Sequence, residues 1–447
     1  MTEKKTNKNT KIKNTTARSL AHSSLIALEK SGRYSNLEIN SVLNKLDSGE
    51  GVSFSQADRA LYTRLVYGVT ERRILLDHII GQYSTQPTER LESDVKTALR
   101  IGLYQLLFLD RIPEHAAVSE SASLVVRAKT GYVNAVLRTF IREGKKYSLP
   151  DRIFEPVKYL SVRYSVPEPL VELFAESYAG DELEDLLEAL NREPHIGLRV
   201  NTLKHTAEEA VKMLDGARLS KIAPDVVIVD YLDDTAKNGL ILGDWFVQDE
   251  ASRITSAAVG ARAGDIVVDT CSCPGGKSFS MALDMQNQGK IYSFDLHKNK
   301  LSLVDAGAAK LSLTIIETAE RDARNPLGEL VRRADRVLCD APCSGIGVIA
   351  KKPDIRYKNI SDIRGLPEIQ FRVLSGAAEY VKPGGVLVYS TCTLNRAENE
   401  WVVERFLSEN HEFRLENDAL ISGGMRTFTP HKDGCDGFFA AKMIRIC

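Results

Sequence analysis

The chain has 447 residues, of which 43% are hydrophobic, 27% charged and 7% aromatic; this is enough for a large core in several domains and excludes wholesale disorder, a collagen-like fibre and a small disulfide scaffold. With 59 Lys+Arg against 60 Asp+Glu the formal net charge is −1, so the whole-chain balance points to no acidic partner. The distribution is uneven, however: residues 1–150 hold 23 basic and 15 acidic side chains, and residues 151–447 hold 36 and 45. Such asymmetry is expected when one part meets a polyanion and the other does chemistry, and equally when helix faces are simply solvated.

Residues 1–14 carry five Lys and one Glu without an apolar run, which predicts a disordered basic arm and not a secretory signal. No stretch of 18 apolar residues exists, so no membrane partner is expected. The seven cysteines form no CxxC pair and read as intracellular thiols of a cytoplasmic protein.

From Ala17 to Glu143 apolar residues recur at helical spacing, as in Leu61, Leu65, Val66 and Val69 or Leu99, Leu103, Leu106 and Leu107. This predicts an all-helical bundle over 15–147, interrupted at Ser48–Gly51 and Ser84–Pro87, with a central helix over Val95–Asp110 that is apolar on most faces. Residues 148–240 alternate short helices, broken by Pro150, Pro156, Pro167 and Pro169, with strands at Leu198–Asn201 and Val226–Val229; a small α/β connector module is predicted. Over 241–447, β-rich runs at 266–269, 290–295, 314–317, 336–340 and 385–390 alternate with helices, the pattern of a doubly wound parallel sheet. A last run, 437–444, predicts an antiparallel edge strand.

In such a sheet ligands lie beyond the carboxyl ends of the strands. The first predicted strand is followed by Cys271, Ser272, Cys273, Pro274, Gly275, Gly276 and Lys277, a glycine turn into a helix whose N–H groups suit an anionic group. Gly276-Lys277-Ser278 suggests a phosphate loop, but that motif needs glycine at position 271, which is Cys. Asp295, ending the second strand, is placed for ribose hydroxyls, and Asp322, after the third, for an adenine amino group. An adenosine-type ligand is therefore expected.

The fourth and fifth strands end in Asp340-Ala341-Pro342-Cys343-Ser344-Gly345 and Ser390-Thr391-Cys392-Thr393, each placing a thiol in the same cleft. Zinc would need about four N/S ligands at close spacing, and no such pattern exists, so no metal is expected. A thiolate, an acid and an adenosine-bearing cofactor together fit alkylation of cytosine C5. That carbon is a weak nucleophile until a thiolate adds at C6, and a protonated carboxyl at N3, such as Asp340, would stabilise the adduct. Spacing alone leaves open which cysteine attacks.

Gln248–Ser252, the Pro-Gly-Gly-Lys turn, Asp340–Gly345, Lys352–Arg356 and Ser390–Thr393 with Glu398–Glu400 resemble the RNA 5-methylcytosine methyltransferases of the Sun/RsmB type over most of 198–447. Ala17-Arg18, Tyr34–Asn36, Asp58-Arg59, Val66–Gly68, Leu103–Leu106 and Gly131–Arg138 resemble the helical RNA-binding domain shared with the antitermination protein NusB. The resemblance implies an N-terminal NusB-like bundle fused to a Rossmann-like class I domain, and S-adenosyl-L-methionine as cofactor. The fusion implies small-subunit (16S) ribosomal RNA as partner and a monomer; tRNA or large-subunit rRNA, or a non-catalytic RNA-binding factor, are the alternatives. It further implies Cys392 as nucleophile, Cys343 in product release, Asp295 at the ribose, Asp322 at the adenine edge, and 271–277 at the cofactor's amino-acid end. Where the family turn reads Cys-Ala-Ala-Pro, this chain has Ser272 and Cys273, a small pair that keeps the turn but adds a thiol.

Overall fold

The computed structural model describes residues 15–48 and 54–447; the predicted basic arm and Gly49–Gly51 lie outside them. The chain divides into two compact units, one of residues 1–175 with 352–357, the other of 176–351 with 358–447.

The first unit is helical: α1 (Ala17–Ser31), α2 (Ser35–Asp47), α3 (Gln56–Glu71), α4 (Arg73–Tyr83), α5 (Ser93–Phe108), α6 (Glu114–Ala122), α7 (Arg127–Arg142), α8 (Pro156–Tyr164) and α9 (Glu168–Ala175). The predicted central helix is α5, whose Val95, Ala98, Leu99, Ile101 and Leu103 are buried among side chains of α1, α3, α4, α6 and α7. Gly68 of α3 is required by close approach, since a Cβ there would lie 2.0 Å from the Tyr104 ring of α5. Gln105, on the same helix, accepts from Arg18 at 2.7 Å and donates to Ser121 at 3.2 Å. Residues 352–357 belong to this unit too: Arg356 Nη1 donates to the carbonyls of Glu71 and Ser165, and Tyr357 Oη to that of Thr70.

The second unit opens with α10 (Asp181–Ala189), β1 (Ile196–Val200), α11 (Ala207–Met213), β2 (Arg218–Leu219), β3 (Val226–Val229), α12 (Asp234–Leu242) and β4 (Trp245–Val247). Its strands form an antiparallel sheet of order β2-β3-β1-β4. Leu198, Val200, Val227 and Val229 pack on Ala210, Leu214 and Trp245, and Trp245 is met so closely by Gly239 that a Cβ would lie 2.0 Å from it.

The larger sheet follows through α13 (Glu250–Ala258), β5 (Ile266–Asp269), α14 (Gly276–Asp284), β6 (Lys290–Asp295), α15 (Lys298–Lys310), β7 (Ile316–Glu320), β8 (Ala334–Asp340), α16 (Ile360–Arg364), α17 (Leu366–Ala378), β9 (Val381–Thr391), α18 (Glu400–Glu409), β10 (Phe413–Leu415), β11 (Met425–Phe428) and β12 (Phe438–Arg445). The order is β10-β12-β9-β8-β5-β6-β7, with β11 also on β12; β7, β6, β5, β8 and β9 are parallel. Alternation along the strands feeds two cores. Val268, Val337 and Leu387 face α17 and α18, while Val267, Leu338 and Val388 face α14 and α15. The final run is antiparallel as expected, but it is not an edge: β12 is flanked by β9 on one side and by β10 and β11 on the other.

Candidate active site

The carboxyl ends of β5, β6, β8 and β9 converge on one cleft, the place where side chains escape the ladder and can meet a ligand. After β5, Gly275 adopts φ +111°, and a Cβ there would lie 2.4 Å from the Phe279 ring, so only glycine turns the chain cleanly into α14. Gln248 braces this turn, accepting from Ser280 Oγ at 2.6 Å and donating to the Gly276 carbonyl at 3.1 Å. Pro274 follows a cis peptide bond. Cys271 packs into the sheet core, and burial, with Cys339 and Asp269 nearby, raises its thiol well above the ordinary range.

Two buried oxygens beside the turn, Asp269 Oδ1 and Ser272 Oγ, have no protein partner. Burial pushes the Asp269 carboxyl up to about 7, although Ser278 donates to it. These orphaned acceptors await donors, which the ammonium group of S-adenosylmethionine would supply. Asp295 ends β6 with Oδ1 accepting from the His297 N–H at 2.9 Å and Oδ2 from that of Cys273 at 3.4 Å, fixing it beside the turn. Asp322 differs: Arg324 grips it with Nε and Nη2 at 2.9 and 2.6 Å, and these bonds lower its pKa. Gly276 has open space where its Cβ would project, with Gln248 Nε2 the nearest atom at 3.9 Å. The donor set and the cradle thus fit the cofactor.

Strands β8 and β9 are neighbours with Asp340 opposite Ser390, and so the two thiols that follow them meet: Cys343 Sγ lies 3.1 Å from Cys392 Sγ. Hydrogen bonding to Cys392 and burial both raise the Cys343 thiol well above its usual value, and the two sulfurs share one hydrogen bond. Asp340 accepts from Lys277 Nζ at 2.6 Å and from Ser390 Oγ at 2.7 Å. Lys277, at the start of α14, is thus turned inward onto Asp340. Burial opposes its charge, but the Asp340 carboxylate and the nearby Cys392 outweigh it and hold its pKa above the ordinary lysine value. Its ammonium also lies 4.8 Å from the Phe438 ring centroid.

Sequence reading placed Glu398 and Asn399 within a motif without giving them a task. Glu398 is fully buried and accepts from the Ser344 N–H, Gln370 and Asn395. Asn399 accepts from Thr391 Oγ1 and donates to the Thr393 carbonyl at 3.0 Å. Together they clamp both cysteine loops; the signal was an acid and an amide just beyond a thiol-bearing strand end. Cys273 is half-buried, its thiol pushed up to about 12 by burial and by Asp295. Among the described residues no group of three or more His, Cys, Asp or Glu side chains is arranged to hold a metal, and no helix is long and apolar enough to cross a membrane.

Parallel strands carrying this glycine turn, the Asp295 carboxylate beside it and the thiol pair define an S-adenosylmethionine-dependent methyltransferase. Residues 257–444 match the family described as 16S rRNA methyltransferase RsmB/F, residues 15–142 the NusB family, and residues 166–230 the ferredoxin-like domain of RsmF/B-like methyltransferases. The chain is 36% identical to the "Probable ribosomal RNA small subunit methyltransferase B" of Bacillus subtilis (strain 168), covering 97% of this chain and 99% of that one. It is 33% identical to the protein of the same name from Synechocystis sp. (strain ATCC 27184 / PCC 6803 / Kazusa), covering 96% and 99%. The crystal structure of PH0851 superposes with a TM-score of 0.77 at 27% identity, over 97% of this chain and 100% of that one. The chain belongs to the RsmB/F family of 16S rRNA methyltransferases.

Proposed function

We propose that this protein methylates C5 of a cytosine in small-subunit ribosomal RNA, in the cytoplasm and as a monomer, through a transient bond between Cys392 and C6 of the base. The observation that carries this reading is the pair of thiols 3.1 Å apart beside the Lys277–Asp340 ion pair. Cys392, hydrogen-bonded to Cys343 and beside the Lys277 ammonium, is the thiol whose anion this reading takes to be stabilised. As its sulfur bonds to C6, negative charge develops on the ring and a proton is needed at N3. Lys277 and Asp340 hold that proton between them and pass it to N3, the task assigned above to a protonated Asp340 alone. Bound in the cradle of 271–277 and Asp295, S-adenosylmethionine supplies an electrophilic methyl group to the activated C5. The adduct then resolves as the C5 proton is lost to solvent, the S–C6 bond breaks and N3 returns its proton to the Lys277–Asp340 pair, with Cys343 placed beside the departing Cys392 sulfur to assist its release. The target base must first leave its stack.

The test uses an RNA whose target is 5-fluorocytosine, which cannot lose a C5 proton. The wild-type chain should form a covalent complex stable to denaturing gel electrophoresis, and Cys392→Ala should form none. Cys343→Ala should accumulate such a complex even on unmodified RNA. The reverse pattern between the two variants would exchange the roles of the thiols. Bisulfite sequencing of ribosomal RNA from cells lacking the protein would then show which cytosine loses its mark.

A further inference from the structure

Behind the thiols lies a second cavity that the chemistry above does not use. It has a volume of about 160 Å³, is partly open to solvent, and is lined by Arg192, His195, Asp249, Gly347, Lys351 and Asp436 among others. None of the cofactor-cradle residues and neither thiol lines it. Yet it is one peptide layer from the nucleophile: the Gly347 N–H donates to the Cys392 carbonyl at 3.1 Å, and the Gly347 carbonyl accepts from Gly437 at 2.8 Å. Gly347 cannot be larger, since a Cβ would lie 2.0 Å from the Gly437 oxygen and 2.9 Å from that of Cys392. The Gly347 peptide is thus what separates the cavity from the Cys392 backbone.

The lining is polar and organised. Lys351 Nζ donates to Asp249 at 2.7 Å and to Asp436 at 2.8 Å, so two carboxylates share one cation, and burial beside Asp249 pushes the Asp436 carboxyl up to about 7. His195 is held at 2.7 Å by Glu250, itself bonded by Ser220, which orients the imidazole. Arg192 stands at the rim with its side chain 61% exposed. An engineered protein cavity of about 150 Å³ takes one benzene ring, so this cavity has room for one six-membered planar ring. The nucleotide next to a base extruded onto Cys392 needs a place of its own, and this cavity lies across the Gly347 peptide from the Cys392 backbone.

We infer that this cavity is a specificity subsite that receives the base next to the target cytosine, its exocyclic amine or ring N–H donating to the Asp436–Asp249 acceptors while Arg192 meets the adjoining phosphate. The inference rests on the RNA-methylating reading and deepens it. Uracil, whose outward edge offers carbonyls flanking a single N–H, is the base such an acceptor-rich wall answers least well; bases bearing an amine are favoured.

The experiment measures methyl transfer by the full chain to RNA hairpins carrying the target cytosine with each of the four bases immediately before and immediately after it. At one of the two positions, uracil should lower kcat/KM roughly tenfold relative to the best amine-bearing base, mostly through KM. Ala350→Phe, which fills the cavity from a lining position, should reduce that preference to within about twofold while S-adenosylmethionine affinity, read by calorimetry, is unchanged. Should Ala350→Phe lose cofactor binding through misfolding, Arg192→Ala and His195→Ala decide, since they should raise KM for RNA and flatten the preference. A wild-type chain that methylates all hairpins equally, or variants that keep the full preference, would overturn the subsite. A wild-type chain that methylates none of the hairpins, nor intact small-subunit RNA, would instead overturn the function on which it rests.

Discussion

If the cofactor's ammonium meets Asp269, that single buried carboxyl would link pH to cofactor binding. With its pKa pushed up to about 7 by burial, it holds a proton in the folded chain where an unfolded Asp, titrating near 4, does not. The stabilisation from that proton is complete below about pH 4 and is lost as pH rises toward 7. An arriving ammonium reverses the preference, because it pairs with the carboxylate and not with the acid. S-adenosylmethionine affinity should therefore rise about tenfold between pH 6 and pH 8 and level off above, whereas Asp269→Asn should bind weakly with no such slope. Titration calorimetry at three pH values decides it. Cys273 gives the opposite case: a thiol pushed up to about 12 is almost wholly protonated at neutral pH, so the departure from the family's Ala adds little reactivity. The residue types of the site were legible in the sequence. Lys277 against Asp340, 63 positions apart, was not, since no local pattern distinguishes a lysine that folds inward from one left in water.

At the level of elements, runs such as Ile266-Val267-Val268 and Val386-Leu387-Val388 announced themselves because strands buried on both faces need continuous apolar side chains. The expected strand at 314–317 is displaced to Ile316–Glu320, on the sheet's terminal strand β7, whose exposed Glu317 and Glu320 break the apolar run that would mark it. Strands β4, β10 and β11 are three or four residues long, too short for a period of two to register; with β10 and β11 unseen, β12 read as an edge. The glycine turn was legible as a turn but not as a strained one. Gly275→Ala would place a methyl group both at positive φ and 2.4 Å from Phe279. It should destabilise the chain by about 1–3 kcal/mol and weaken S-adenosylmethionine binding. Gly276→Ala, with open space around its Cβ, should leave the melting temperature near wild type and lose affinity alone. Melting curves and calorimetry on the two variants separate the strain of the turn from occupation of the cradle.

On the scale of the molecule, the units are not simple blocks of chain. Residues 352–357 lie in the last third of the sequence and fold with the first unit, where Arg356 and Tyr357 reach carbonyls of Thr70, Glu71 and Ser165; no periodicity reveals a contact made at a separation of 285 residues. Deleting residues 1–145 would strip that segment of its Thr70 and Glu71 partners, so a test of the basic unit should leave the fold whole. Arg127, Arg138, Arg142 and Lys146, on and just after α7, are exposed, and changing all four to Gln should shift stability little. If the surplus of basic over acidic groups in residues 1–150 serves to neutralise RNA phosphates, each lost contact removes released counterions. The slope of log affinity against log salt should then flatten by about 0.7–0.9 per contact, up to about 3 in all. Filter binding of small-subunit RNA between 50 and 300 mM salt measures it. An unchanged slope would mean that these side chains are solvated helix-face charges and that the phosphate backbone is held elsewhere.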